Sequence, residues 1–181
     1  QWDGGNKEMM MEQTFSYNDC DKFFYDILPF LKDERYIRIN NKPLLIIYNP
    51  CLFKKEETID LVKRIRELAK ENGFDDLYIL GAKVFGNEDS TTFGMDASVE
   101  FYPNSHDNLK ELDLTGKIIN KKFKSRVFDM EDAILNKKFM PEVSYPMYKT
   151  VFPYWDNSAR KAFKGGWVFQ TTPKLYKQWL R

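Results

Sequence analysis

Leu44-Leu45-Ile46-Ile47-Tyr48-Asn49-Pro50 decides the fold. The turn signal Asn40-Asn41-Lys42-Pro43 precedes this apolar run, and Asn49-Pro50 ends it. A short continuous apolar run between turn signals predicts a strand buried on both faces, as in a parallel sheet. The turn after the strand is equally informative. A doubly wound open sheet usually places a glycine-rich phosphate turn after its first strand. Here that position holds Tyr48-Asn49-Pro50, with no glycine.

Downstream, Glu57 to Asn72 is the clearest helix. Ile59, Val62, Ile65, Arg66 and Ala69 fall near one face, and Gly73 closes it as a C-terminal cap. Leu77 to Gly81 is a second strand, and Lys83 to Gly94 a polar loop. Ala97 to Tyr102 is a third strand, ended by Pro103. Ile118 to Val127 carries no clear period, and Met130 to Lys138 is a helix capped by Asp129. Thr150 to Trp155 is a fourth strand, and Pro173 to Arg181 a helix with proline in its first turn. Upstream, Gln1 to Tyr17 reads as loop. Cys20 to Lys32 has helical spacing, is capped by Asn18 or Asp19, and carries Pro29 as a kink. Asp33 to Ile39 is a connector.

This alternation implies a parallel sheet covered by helices. Each strand ends in polar or aromatic residues: Tyr48 and Asn49, Lys83, Glu100 and Tyr102, Asp156 and Asn157. Such a ring at the strand C-termini is the pattern of a (β/α)8 TIM-type barrel. That fold takes about 250 residues, and the chain has 181. The expectation is α/β, with residues 1–181 forming one partial domain: half a barrel that associates through open sheet edges. Neither terminus has the look of a natural end, so the sequence reads as a piece of a longer protein.

The formal net charge is +1, which argues against nucleic acid as a partner. The run Lys121, Lys122, Lys124, Arg126 reads as a solvated face. No stretch approaches the roughly eighteen apolar residues of a membrane helix, so no membrane span is expected. Cys20 and Cys51 lie far apart, as reduced thiols would, and cytoplasmic localisation is expected. His106 is the single histidine. Glycine-rich dinucleotide, P-loop and HExxH motifs are all missing, and no cofactor or metal is expected.

Candidate chemistry gathers at strand ends. Val151 to Trp155 runs directly into Asp156, Asn157 and Arg160. Aromatic faces can cover the C–H face of a pyranose, while carboxylate, amide and guanidinium divide its hydroxyls. The same residues also suit a strand end with an aromatic core plug and an Asp or Asn cap. Glu100 shares a strand face with Ser98 and Tyr102, and a carboxylate there must be hydrogen-bonded or used. Tyr48 reads as core or as sugar platform. Asp3, Asp96 and His106 read as turn or loop residues or as ligand contacts.

Four stretches resemble the WbsX-type glycosyltransferase family of bacterial surface-polysaccharide clusters, which is similar to the endo-α-mannosidase-type barrels of glycoside hydrolase family 99. They are WDG at Trp2 with EQTFS after it, KDERYIRINNKPLLIIYNP from Lys32, GMDASVEFYPNSH from Gly94, and VFPYWDNSARKAFKGG from Val151 with TTPKLYKQWL after it. Ser158 stands where the family typically has threonine. The resemblance implies the C-terminal half of a (β/α)8 barrel that acts on oligosaccharide or polysaccharide, as glycosyltransferase or glycosidase, in surface polysaccharide or lipopolysaccharide biosynthesis. In the family a Trp-Ala-Asn-Glu-Asn-Trp segment precedes WDG, and its Glu is the best catalytic candidate. This sequence begins at Gln1, so no catalytic residue is assigned and the isolated chain is expected to be inactive. The substrate-site candidates are Trp2, Asp3, Tyr48, Glu100, Tyr102, Trp155, Asp156, Asn157 and Arg160. The alternative is a non-catalytic carbohydrate-binding or structural half-barrel.

Overall fold

The computed structural model describes residue 16 and residues 19–102, 109–118, 120–139, 142–158 and 165–181. In chain order the elements are α1 (Cys20–Lys32), β1 (Arg38–Ile39), β2 (Lys42–Ile47), α2 (Lys55–Glu71), β3 (Tyr78–Ala82), a 3-10 turn (Ser90–Phe93), β4 (Ala97–Val99), β5 (Arg126–Phe128), α3 (Met130–Leu135), β6 (Met147–Tyr148), β7 (Tyr154–Asp156), β8 (Trp167–Gln170) and α4 (Pro173–Trp179). They fall into two compact units. The first comprises Gln13–Phe101 with Val143–Lys149; the second includes Tyr102–Glu142 and Thr150–Arg181.

The first unit is mixed α/β. Its sheet has the order β1-β2-β3-β4-β6. β2, β3, β4 and β6 are parallel, and β1 adds an antiparallel edge at the start of β2. Asn40 and Asn41 both take positive φ, the geometry of a tight hairpin turn. The segment expected to be a plain connector therefore carries a strand. Helices α1 and α2 pack on one sheet face, joining Phe24, Leu31, Val62, Ile65 and Leu68 to Leu45, Leu77 and Ile79. β2 departs from the sequence expectation. Leu45 is buried, but Ile46 on the opposite face is 51% exposed. The strand is covered on one side only, because both helices lie on the Leu45 side.

In α2 the buried side chains are Thr58, Val62, Ile65, Leu68 and Ala69. Ile59, expected on that face, is exposed instead. The Glu57 carboxylate accepts from the Lys54 N–H at 3.0 Å, capping the helix start. Gly73 (φ +93°) ends the helix as expected.

Arg66 also points inward. Its guanidinium donates to Asp76 Oδ1 at 2.8 Å and Oδ2 at 2.9 Å, to the Leu77 carbonyl at 2.8 Å, and to Asp96 Oδ2 at 2.7 Å. Asp76 additionally accepts from Lys42 Nζ at 3.1 Å, and Asp96 from the Ile79 N–H at 2.7 Å. One cation from α2 thus binds the residues leading into β3 and β4, and Asp76 extends the cluster to Lys42 at the start of β2.

Gly81 lets the 3-10 turn lie against β3. A Cβ there would collide with Ser90 Oγ and stand 2.8 Å from Met95 Sδ. Ser90 Oγ donates to the Gly81 carbonyl at 3.1 Å, and the Ser90 N–H donates to Ser98 Oγ at 2.9 Å.

In the second unit β8 lies between β5, parallel to it, and β7, antiparallel. Phe128 and Phe169 stack at 4.6 Å and Phe139 and Trp179 at 4.7 Å, forming the core with Ala133 and Ile134. Asp129 caps α3 as expected, accepting from Asp132 N–H at 3.0 Å. That helix ends at Leu135, short of Lys138, because Lys137 turns to φ +52°. The expected strand Thr150 to Trp155 is corrected. The fourth parallel strand is β6; the carbonyls of Tyr148 in it and of Pro146 just before it accept from the Glu100 and Ser98 N–H groups. Tyr154–Asp156 is instead an exposed edge strand, beginning after Pro153, which has no N–H to pair. The expected strand Ala97 to Tyr102 ends at Val99.

Gly81→Ala should destabilise the chain by about 2 kcal/mol, as overpacking does; a melting temperature matching the parent would refute the close approach of the 3-10 turn. Burial raises the Asp76 carboxyl pKa, but Arg66, the Leu77 N–H and Lys42 outweigh it and hold the pKa below the ordinary 3.8. Its stabilising contribution is therefore present above the unfolded pKa and lost as pH falls through the lowered one. Urea midpoints should drop below about pH 4, and Asp76→Asn should flatten that acid limb.

Candidate functional site

The ends of the parallel strands carry two side-chain groups in the first unit. Tyr48, directly after β2, packs edge-on against Phe101 at 5.1 Å and Phe85 at 5.8 Å. All three rings are exposed. Beside them in sequence, Lys83 Nζ donates to the Tyr145 hydroxyl at 2.9 Å and pairs with Glu88 at 3.0 Å. Burial lowers the Lys83 pKa, yet the bonds to Tyr145 and Glu88 raise it overall, so a fixed positive charge stands after β3. Glu100 is buried at 4% exposure, and its N–H extends the ladder to the Tyr148 carbonyl at 2.9 Å. Tyr78 and Tyr148 share a hydroxyl contact at 3.2 Å, and this bond to Tyr148 pushes the Tyr78 pKa up to about 12.

In the second unit, Tyr102 lies among core rings, 4.8 Å from Phe139, and its hydroxyl donates to the Phe139 carbonyl at 3.3 Å. Trp155 is 38% exposed on the edge strand. Asp156 Oδ1 accepts from the Ser158 N–H at 2.7 Å and Oδ2 from the Tyr154 hydroxyl at 3.1 Å. The bond from Ser158 holds the Asp156 pKa below the ordinary range, so the carboxylate is charged at neutral pH. Asn157 Oδ1 accepts from the Trp167 N–H at 2.7 Å, which ties the edge strand to β8. Asp156 and Asn157 thus do cap-like backbone work, while the Trp155 ring and the outer side of the carboxylate stay accessible.

Trp2, Asp3, His106 and Arg160 lie outside the described residues. Sequence reading missed Phe85 and Phe101. The signal for Phe101 was present, because Val99 and Phe101 alternate in step, as Ile46 and Tyr48 do. Among the described residues no group of three or more His, Cys, Asp or Glu is arranged to hold a metal ion. No helix among them is long and apolar enough to cross a membrane.

The family described as Glycosyltransferase WbsX matches residues 1–181. The protein titled "Uncharacterized protein WxcX" from Xanthomonas campestris pv. campestris strain B100 is 28% identical over 179 residues, covering 99% of this chain and 25% of that protein. The same-named protein of a second strain is 27% identical over 179 residues. The chain spans about a quarter of the length of these curated relatives. No solved structure matches it.

Trp155→Ala should leave stability within about 0.5 kcal/mol of the parent, as an exposed substitution does. Trp179→Ala, which empties a buried ring site, should cost about 3 kcal/mol or more. Equal losses in urea denaturation would mean that Trp155 is a core residue.

Proposed function

The chain belongs to the Glycosyltransferase WbsX family, and from this we propose that it is a carbohydrate-active part of a glycan-processing enzyme of bacterial surface polysaccharide or lipopolysaccharide biosynthesis. The family match over the whole chain carries this reading. The parallel run β2-β3-β4-β6 supports its architectural side, in which residues 1–181 are one partial domain, the C-terminal half of a (β/α)8 barrel. In such barrels the strand C-termini hold the substrate, and here these ends bear exposed aromatic and charged side chains.

The substrate on this reading is an oligosaccharide or polysaccharide. Trp155 offers a flat apolar face to a pyranose, and the Asp156 carboxylate, already oriented by the Ser158 N–H, accepts from hydroxyls. Tyr48, Glu100, Tyr102, Asn157, Arg160, Trp2 and Asp3 are the other substrate-binding candidates on this reading. The edge of β2 beyond its short pairing with β1 is, on this reading, taken by the rest of the barrel or by a second chain. Action in the cytoplasm fits the free thiols of Cys20 and Cys51.

Affinity electrophoresis of the chain through gels containing purified surface polysaccharide tests this. Retardation is expected, and Trp155→Ala and Asp156→Ala should each weaken it about tenfold, equivalent to losing one good contact. Mobility unaffected by the polysaccharide would overturn the proposal.

A further inference from the structure

We infer that Tyr48, Phe85 and Phe101 form a pyranose-binding platform at the ends of β2, β3 and β4; the ligand class rests on the proposed glycan function. These strands are neighbours and run in the same direction, so the residues just beyond them share one end of the sheet. Tyr48 is the centre, with Phe101 at 68° and Phe85 at 90° to its plane. The three rings are 44%, 66% and 45% exposed for Tyr48, Phe85 and Phe101. Edge-on packing sets the rings against one another and leaves ring face open. Single exposed aromatics need no explanation, but three joined through contacts of Tyr48 with the other two at one sheet end do.

The backbone of Phe85 strengthens the case. Phe85 has φ +52° and Gly86 φ +87°, and the Asn87 N–H donates to the Val84 carbonyl at 3.0 Å. That is a tight turn with left-handed residues at both central positions, which favours Asn, Asp or Gly at the first. A bulky side chain there strains the backbone. Burial does not offset the strain, since Phe85 is among the most exposed apolar side chains. Strain that burial within this chain does not offset points to a position held for function.

The turn is also rigidly placed. Asn87 Nδ2 donates to the Ala82 carbonyl at 2.7 Å and to Ser90 Oγ at 2.8 Å. The Lys83 N–H donates to the Val99 carbonyl at 2.9 Å, fixing the turn's root to β4. A site whose rings are set before the ligand arrives loses little entropy on binding. Among the described residues the Tyr48 hydroxyl has no hydrogen-bond partner, so it remains available to a sugar hydroxyl. An uncharged pyranose combines what this surface asks for: an apolar C–H face and polar edges.

The test is NMR titration of the chain, with ring carbons and amides observed, against methyl β-D-glucopyranoside and methyl α-D-mannopyranoside. Saturable shifts are expected at Tyr48, Phe85 and Phe101. Phe101→Ala and Phe85→Gly should each weaken binding about fivefold, an aromatic contact's share. Phe85→Gly should at the same time raise the melting temperature, because glycine relaxes the turn; this separates lost binding from lost folding. Unchanged affinity in Phe85→Gly overturns the platform. Saturable shifts confined to Trp155 and its neighbours overturn the platform and leave the glycan function standing. No shift with either glycoside overturns the platform, and the glycan function is then decided by the polysaccharide gels alone.

Discussion

The guanidinium of Arg66 reaches Asp76 through both carboxylate oxygens, the Leu77 and Gly94 carbonyls, and Asp96. Burial works against its charge, and the Asp96 and Asp76 carboxylates outweigh that cost. The planar fork of arginine suits such multiple acceptors; a lysine ammonium could not span them. Because Asp76 also holds Lys42 and Asp96 also holds the Ile79 N–H, this one side chain links α2 directly to the starts of β3 and β4 and, through Asp76, to the start of β2. The sheet is tied at its N-terminal edge by charge and along its middle by the apolar core. Its C-terminal edge is left to carry side chains that packing does not need.

The two units use aromatic residues in opposite ways. In the second, Tyr102, Phe139, Phe152 and Trp179 meet within 6.3 Å of one another and make a core out of rings. Its strands β5 and β7 have 3 residues each and β8 has 4, so stacked rings supply what longer strands would otherwise bury. In the first unit Leu, Ile and Val fill much of the core, and several aromatic side chains stand at the surface. An aromatic residue in this sequence is therefore informative only once its unit is known.

Much of the fold was legible in the sequence. The run Leu44 to Tyr48, the helix closed by Gly73 and the cap at Asp129 each rest on local chemistry: an unbroken apolar run, a positive-φ glycine and an acceptor three residues before its donor. The misses depend on partners distant in the chain. Trp167–Gln170 is a strand because Arg126–Phe128 and Tyr154–Asp156 flank it, and the stretch Ile118 to Val127 has no clear period to announce the first of them. β2 loses cover on one face because of where two helices lie, a tertiary fact. At the candidate site, Trp155 and Asp156 were readable from an apolar run meeting polar groups. Phe85 was not, because its significance lies in a backbone angle. Arg66 was placed on the apolar face of α2 by period alone, and its reason for being there lies across the sheet in Asp76 and Asp96.

The interleaving of the units along the chain has a consequence for synthesis on the ribosome. The parallel sheet is closed by β6, whose residues come after the whole of Tyr102–Glu142. Until Pro146 and Tyr148 emerge, the Ser98 and Glu100 N–H groups have no ladder acceptors and β4 is a bare margin. The first unit therefore cannot be finished before much of the second has left the exit tunnel. The nascent chain holds an unpaired strand edge for the time it takes to make about forty-five residues, seconds at ordinary translation rates, and cutting after Phe101 would make that transient condition permanent.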